Sequence, residues 1–267
     1  MKGFLTELIQ EPLDSKELPQ KIEKICRYIV AELRAQGLSE NSDPFLDVQH
    51  RELQKRLQEC FQENAFENLV DKVVSTEWNQ FQQVHTQGGR ASCQNNWPTF
   101  MIMRKSQFLT WNEQTLRSYL GDLLEGDSIG WNLITEKYGR MREHTSPEEY
   151  KNIAKNFAPI SPERQQIQKT LISIMMRWTS EVYQQYPHLS KMGRTQFSGG
   201  DTQQSTSSET YLRGELSTYS DATLKLYGQM VAEALQKEQN IVEKILTNTV
   251  HFYGYASLEE ADEASSK

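Results

Sequence analysis

The sequence has few of the residues that build disulfide, metal or nucleotide sites. Its three cysteines are Cys26, Cys60 and Cys93. They are odd in number and contain no Cys-x-x-Cys pair, so neither a disulfide framework nor a structural zinc site is predicted. The five histidines are scattered. None belongs to a His-x-x-x-His, His-Glu-x-x-His or Glu-x-x-His pattern, which argues against a helix-borne metal site.

The glycines give no sign of a phosphate-binding loop. Gly88-Gly89 and Gly199-Gly200 extend to neither Gly-x-Gly-x-x-Gly nor Gly-x-x-x-x-Gly-Lys-Ser/Thr. A Gly-x-Ser-x-Gly elbow is missing too. These absences exclude the two common nucleotide folds and disfavour an ordinary serine hydrolase. They also leave no particular metal or cofactor indicated.

Long apolar runs and alternating β-branched runs are both missing. Nowhere do about 18 uncharged apolar residues follow one another, and residues 1–7 have no apolar core of signal-peptide length. We therefore expect a cytoplasmic protein without a membrane partner. Because apolar positions follow a helical period instead of alternating, no strand is predicted and the fold class is all-α.

The composition is that of a folded, acidic protein. The chain has 267 residues, of which 37% are hydrophobic, and a formal net charge of −7. That length and apolar content support a substantial core. The negative charge provides no general attraction to nucleic acid, so no nucleic-acid partner is expected.

Helical periodicity and helix-start signals recur along the whole chain. Ser146-Pro147-Glu148 and Ser161-Pro162-Glu163 each place a capping residue, a proline and an acid where a helix begins. Tyr186-Pro187 predicts the end of the second of these helices. The predicted helices cover residues 17–36, 46–61, 65–84, 115–124, 129–141, two segments beginning near 147 and 162, and a long C-terminal helix from about 217 to 250.

These patterns predict a single multi-helix domain with a long C-terminal helix. Residues 1–60 would form a helical arm packed on the main domain, residues 61–258 the main helical domain, and residues 259–267 an acidic, frayed tail. The seam of the long helix, with apolar positions close to a 3.5-residue repeat, could pair with a second copy of the chain. An internal core position is the alternative for the same seam.

Arginines in or beside apolar helices are the most informative chemical feature. An unpaired guanidinium near a core is costly, so each must be bound either by a carboxylate of the chain or by an anionic ligand. Internal pairing with Glu77, Glu209 or Glu215 is one alternative. The other is that several arginines hold a carboxylate or phosphate. The candidate binding residues, which include two amides of the Gly88–Trp111 stretch, are Arg90, Gln94, Arg104, Gln107, Arg140, Arg194 and Arg213.

Four residues are candidates for a chemical step. Glu209, Tyr211 and Glu215 lie in a segment rich in acids and hydroxyls, where paired carboxylates could serve as acid and base. The same carboxylates could equally cap a helix or bridge to arginines. Cys93 is the only thiol outside a regular helical pattern, and it could be a nucleophile if an arginine lowers its pKa. A packed or merely exposed thiol is the alternative.

The polar segment 188–208 stands out by its composition. It carries three glycines, many hydroxyl and amide side chains, and little apolar matter. Loops of this length are usually either lids over a site or passive linkers. Both alternatives stay open at this point.

Four runs of the sequence together resemble a bacterial family, the domain of unknown function DUF4125. The runs are Gly89-Arg90-Ala91-Ser92-Cys93-Gln94, Met103-Arg104-Lys105-Ser106-Gln107-Phe108, Asn132-Leu133-Ile134-Thr135-Glu136-Lys137-Tyr138 and Glu209-Thr210-Tyr211-Leu212-Arg213-Gly214-Glu215-Leu216. The resemblance covers roughly residues 60 to 258 and implies a bacterial cytoplasmic protein. It carries over no catalytic residue.

Two functional hypotheses follow from the sequence. The first is an enzyme acting on a small anionic metabolite that is held by helix-borne arginines. The second is a non-catalytic protein, either a helical interaction module or a small-ligand-binding protein. A structure separates them by showing whether the arginines and carboxylates converge on one concave site.

Overall fold

A computed structural model describes residues 17–35, 55, 65–85 and 89–266 of the chain. These residues are mainly helical and include no strand, which confirms the all-α prediction. None of the helices in these ranges combines the length and apolarity needed to cross a bilayer. The helices are α1 Leu18–Ala35, α2 residues 65–82, α3 Trp97–Phe108, α4 Glu113–Ser128, α5 Leu133–Thr145, α6 Pro147–Ile153, α7 Pro162–Gln185, α8 Pro187–Met192, α9 Ser208–Thr218, α10 Asp221–Gln236, α11 Ile241–Phe252 and α12 Leu258–Ala264.

The chain divides into two compact units, residues 1–68 and residues 69–267. The helix predicted over 46–61 lies outside the described residues, apart from Lys55, which is helical. The predicted domain boundary after residue 60 lies outside them as well. The division into 1–60, 61–258 and 259–267 therefore stays a prediction.

The two Ser-Pro-Glu patterns both begin a helix, but only one of them caps its helix with a serine side chain. The Ser161 side chain accepts a hydrogen bond from the Arg164 N–H and caps α7, which ends before Pro187 as predicted. Ser146 precedes Pro147 in the same pattern but caps α6 with no side-chain hydrogen bond. The proline after α7 does not begin a loop, because its fixed φ also suits the first turn of α8.

The prediction of one long C-terminal helix is wrong. Tyr219 is extended, at ψ 144°, and ends α9, after which the Ser220 side chain caps α10. Glu238 adopts a positive φ of 53° and the Asn240 side chain caps α11. The apolar spacing continues across these breaks because the separate helices each bury an apolar face, so helical period alone cannot reveal them.

The apolar seam of that predicted helix packs in the core of the chain. Its apolar side chains are buried at Leu224, Tyr227, Val231, Ala234 and Ile241. These five positions supply the core of the chain, which is the alternative that the sequence left open, and pairing with a second copy stays a prediction.

The acidic C-terminal segment is helical where its composition predicted a frayed tail. Ser257 caps α12, and Leu258 and Ala261 are buried. The Asp262 carboxylate accepts hydrogen bonds of 2.8 Å from the backbone N–H groups of His188 and Leu189. The first N–H groups of a helix have no hydrogen-bond acceptor within the helix, and the Asp262 carboxylate of α12 provides that acceptor for α8.

Close packing of α9 on α5 positions the residues described next. A Cβ atom on Gly214 would lie 2.7 Å from Met141 Cγ and 3.0 Å from the Lys137 carbonyl oxygen. On α5 itself, a Cβ atom on Gly139 would lie 2.4 Å from the Phe157 ring. Both glycines therefore let a neighbouring element approach α5 more closely than an alanine would.

Candidate functional site

Arg104 lies at the centre of a buried ion-pair network. Its Nε and Nη2 atoms donate to the two carboxylate oxygens of Glu77 at 2.6 and 2.7 Å. Nη2 also donates to Glu215 Oε1 at 2.6 Å, and Nη1 donates to the Gln107 side chain at 2.7 Å. With all its nitrogens engaged and only 4% of its surface exposed, Arg104 is paired internally, as one of the two alternatives predicted.

Lys137 extends this network towards Tyr211. Its Nζ atom lies 3.9 Å from Glu215 Oε2 and 3.8 Å from the centroid of the Tyr211 ring. The lysine is 3% exposed, so the ring and the carboxylate are its main sources of stabilisation. The sequence analysis did not single out Lys137 as a site residue, because its place on the buried face of α5 gave no signal beyond helical period.

The network settles the charge state of Glu215. Burial by itself would raise the pKa of this carboxyl, but Arg104 and Lys137 outweigh burial and lower the pKa to about 2. A carboxylate that is ionised and bound on several sides is a poor proton carrier near neutral pH. The prediction of Glu215 as an acid or base therefore finds no support in its surroundings.

The two amides of the Gly88–Trp111 stretch bind the chain itself. Gln94 Nε2 donates to the carbonyl oxygens of Phe81 and Val84 at 2.7 and 2.9 Å, which satisfies the end of α2. The Gln107 side-chain oxygen accepts a hydrogen bond from Arg104 Nη1, and its Nε2 donates to Glu215 Oε1 at 3.2 Å. Arg90 lies on the surface next to Gln94 and donates to the Gln94 carbonyl oxygen at 3.0 Å.

A cleft of about 260 Å³ is lined by residues of α5, α6, α7 and α9 and by the segment between α6 and α7. Arg140 projects into its wall from α5, lies over the Phe157 ring at 5.1 Å, and pairs with Glu136 at 2.7 Å. Its Nη2 donates to the Ala158 carbonyl oxygen at 2.8 Å. We call this the Arg140 cleft; its polar and charged lining residues are Arg140, Glu143, Tyr150, Gln165, Arg213 and Ser217.

Arg213 lines the Arg140 cleft and also a second cleft of about 400 Å³ between α7, α9 and residue Phe197. Its Nη2 donates to Glu209 Oε1 at 2.7 Å. Its Nε–H is buried and donates to no acceptor among the described residues. A buried donor without an acceptor is costly.

Tyr150 gives the Arg140 cleft a neutral hydroxyl. Burial and then the Glu143 carboxylate raise the pKa of this phenol, more than Arg140 lowers it. Tyr150 is therefore protonated at neutral pH and can donate a hydrogen bond. Neither Tyr150 nor Phe157 was singled out from the sequence, because an aromatic residue in a short helix or turn is usually core.

Glu209 connects Arg213 to the polar segment. Its Oε2 accepts the Ser198 backbone N–H at 3.0 Å while Oε1 binds Arg213. Partial burial acts to raise the pKa of Glu209, but the Ser198 hydrogen bonds and Arg213 lower it overall. Like Glu215, this carboxylate is ionised and committed to partners, so its predicted acid–base role finds no support here either.

Tyr211 of α9 lies between two cations, Lys137 and Arg194. Arg194 lies 4.9 Å from the centroid of the Tyr211 ring, whose other cation is Lys137 at 3.8 Å. Arg194 also donates to the Thr206 carbonyl oxygen at 3.1 Å. Arg194 thus ties the polar segment to Tyr211, and neither residue lines the Arg140 cleft.

Cys93 is exposed and lines a separate cleft of about 160 Å³. Tyr138 and Arg142 share this cleft, but Arg142 is paired with Glu149 at 2.5 Å. No histidine lines the cleft, so the base that a thiol nucleophile needs is not provided there. The catalytic role of Cys93 stays a prediction.

The structure therefore brings together only part of the predicted site. Arg140 and Arg213 share one cleft, with Glu209 bound to Arg213. The other candidates are distributed over the buried network, the surface beside α2, the Cys93 cleft and the contact between Arg194 and Tyr211. Among the described residues no three acidic, histidine or cysteine side chains are grouped to hold a metal ion.

Comparison with known proteins places the chain in one family. The family model of DUF4125, a protein of unknown function, matches residues 67–263. This range is close to the one over which the sequence runs resemble that family. No curated protein and no solved structure matches the chain significantly.

Proposed function

The chain belongs to the DUF4125 family, whose function is unknown, and we propose from its own residues that it binds a small anionic ligand in the Arg140 cleft. The ligand class is a carboxylate or a phosphate, held by Arg140 and Arg213. The observation that carries the proposal is that Arg140 and Arg213 line the same cleft, each with N–H donors beyond those bound to Glu136, Ala158 and Glu209. An anionic oxygen would accept such donors in charge-assisted hydrogen bonds.

The remaining donors of the cleft support an anion over a neutral ligand. A guanidinium has five N–H donors. Arg140 uses Nε and Nη2 for Glu136 and Ala158, and Arg213 uses Nη2 for Glu209. Both keep unused donors, and Tyr150 adds a neutral hydroxyl. Glu143 is the one acid that lines the cleft.

The proposal concerns binding, the second of the two functional hypotheses. The predicted acid–base pair, Glu209 and Glu215, is ionised and bound to cations, and Glu215 does not line the cleft. The assignment as an enzyme, the cytoplasmic location and the bacterial origin stay predictions. An interaction module built on the C-terminal seam stays a prediction as well.

Thermal unfolding with inorganic phosphate tests the proposal. A ligand present at 100 times its dissociation constant adds about 2.7 kcal/mol of stability, so the melting temperature should rise with phosphate concentration and saturate. Phosphate also stabilises proteins without binding, by exclusion from their surface. Arg140→Gln and Arg213→Gln separate the two effects, since only site binding depends on these residues.

Arg142→Gln is the matched control, because Arg142 lies on the same helix but lines a different cleft. It should keep the phosphate response, while Arg140→Gln and Arg213→Gln should lose it. An equal response in all three folded variants would refute anion binding at this cleft.

A further inference from the structure

The second cleft beside Arg213 has an apolar wall that is held in place. Phe197 is 55% exposed and lines this cleft together with Ile172 and Met176. Next to it, the Gln196 side-chain amide donates to the Met176 carbonyl oxygen at 2.6 Å and to Ser180 Oγ at 2.5 Å. The exposed ring therefore belongs to a segment that is bound to α7 through the Gln196 side chain.

The residue after Phe197 is held as well. The Ser198 N–H donates to Glu209 at 3.0 Å, and the Phe197 carbonyl oxygen accepts the Gly200 N–H at 3.2 Å. Because the chain on both sides of Phe197 is bound in this way, ordering the backbone there adds little to the entropy cost when a ligand packs on the ring.

The charges of the second cleft are mostly positive. Lys169, Arg177 and Arg213 line it, against the single carboxylate of Glu209. Glu209 is already bound to Arg213 and Ser198. Arg177 has only a loose, exposed pair with Glu181 at 3.7 Å, and Lys169 makes no contact with an acid among the described residues.

We propose that this second cleft binds an aromatic carboxylate, with the ring against Phe197 and Met176 and the carboxylate at Lys169. Aromatic faces and a thioether pack favourably on a flat ring, and the lysine complements the negative charge of the carboxylate. A volume of about 400 Å³ suits a small organic molecule. The site is separate from the Arg140 cleft and touches it only through Arg213.

Isothermal titration calorimetry with 2-naphthoate tests this site on the full chain. Acetate, which has the carboxylate without the ring, and 2-naphthol, which has the ring without the carboxylate, should each bind at least tenfold more weakly. Phe197→Ala should weaken 2-naphthoate binding about tenfold and leave acetate unchanged. Lys169→Gln should weaken 2-naphthoate and leave 2-naphthol unchanged.

Phe252→Ala is the matched control, since Phe252 is also exposed but lies on α11, away from the cleft. Undetectable 2-naphthoate binding, or equal affinity in the wild type and a folded Phe197→Ala variant, overturns the proposal. Its failure is distinct from failure of phosphate binding at the Arg140 cleft. Arg140→Gln changes only the phosphate response, and Phe197→Ala changes only the 2-naphthoate affinity.

Discussion

Arg104 and Glu215 are 111 positions apart in the sequence and are joined by a 2.6 Å ion pair in which both side chains are almost fully buried. The pair connects α3 to α9, and Glu77 on α2 completes it through the same guanidinium. Breaking a buried pair by removing one partner leaves an uncompensated charge inside the protein. This contact therefore joins three helices at a position where substitution is costly.

Arg104→Gln should lower the free energy of unfolding by about 3 to 5 kcal/mol, because it leaves Glu77 and Glu215 without their cation. Arg117→Gln is the control. Arg117 pairs with Glu113 at 2.6 Å but both side chains are more than half exposed, and such a pair contributes about 0.3 to 0.5 kcal/mol. Urea unfolding of both variants measures the difference, and equal losses would contradict the assigned role.

The sequence identified the arginines but could not say what binds them. Periodicity placed Arg104 and Arg140 on apolar helices, and pairing with Glu77, Glu209 or Glu215 was one of its two alternatives. The partner of each arginine depends on which helices meet, and Glu215 reaches Arg104 only because α9 packs on α5 and α3 lies beside them. Contacts between residues more than 100 positions apart leave no trace in local spacing.

Protonation of Glu215 should lower the free energy of unfolding in acid. Its pKa is lowered to about 2 in the folded state, from about 4.3 in an unfolded chain. A carboxyl whose pKa is lowered by folding contributes stability above the unfolded value and loses it as the pH falls towards the folded value. The free energy of unfolding should therefore decrease between about pH 5 and pH 2.

Glu215→Gln tests the assignment of this pH dependence. The variant is less stable at neutral pH, but its free energy of unfolding should fall less steeply from pH 5 to pH 2 than that of the wild type. The exposed Glu113→Gln variant should follow the wild-type curve. Parallel curves for the wild type and Glu215→Gln would show that other carboxyls are responsible.

The helix boundaries show a second limit of sequence reasoning. Ser161 and Ser146 stand in the same Ser-Pro-Glu pattern, yet only Ser161 caps its helix with a side-chain hydrogen bond. The cap depends on backbone angles: Ser161 is extended at φ −63° and ψ 154°, whereas Ser146 has φ −152° and ψ 68°. The preceding chain sets those angles, so the pattern predicted the helix starts but not their capping.

Gly214→Ala should destabilise the protein, by about 1 to 3 kcal/mol as is usual for overpacking. The added Cβ would lie 2.7 Å from Met141 Cγ and 3.0 Å from the Lys137 carbonyl oxygen. Gly121→Ala is the matched control, since Gly121 is also helical but has nothing within 4 Å of an added Cβ. There alanine should stabilise by about 0.5 to 1 kcal/mol. Thermal unfolding should show shifts of opposite sign, and shifts of the same sign would contradict the close approach of α9 and α5.

Residues 188–192 of the polar segment belong to α8, and the remaining residues 193–207 are either a lid or a passive linker. The lid hypothesis predicts that they open by releasing a few identified hydrogen bonds. Gln196 joins this segment to α7 by two hydrogen bonds, at 2.6 and 2.5 Å. Gln196→Ala should therefore favour local opening, and trypsin should cleave after Arg194 several-fold faster. Gln204→Ala, which changes an exposed glutamine of the same segment, should leave the cleavage rate unchanged.

In the wild type, saturating 2-naphthoate should slow cleavage because the ligand packs on Phe197. If calorimetry shows binding while the cleavage rate stays the same, the segment is a passive linker and the lid hypothesis is wrong.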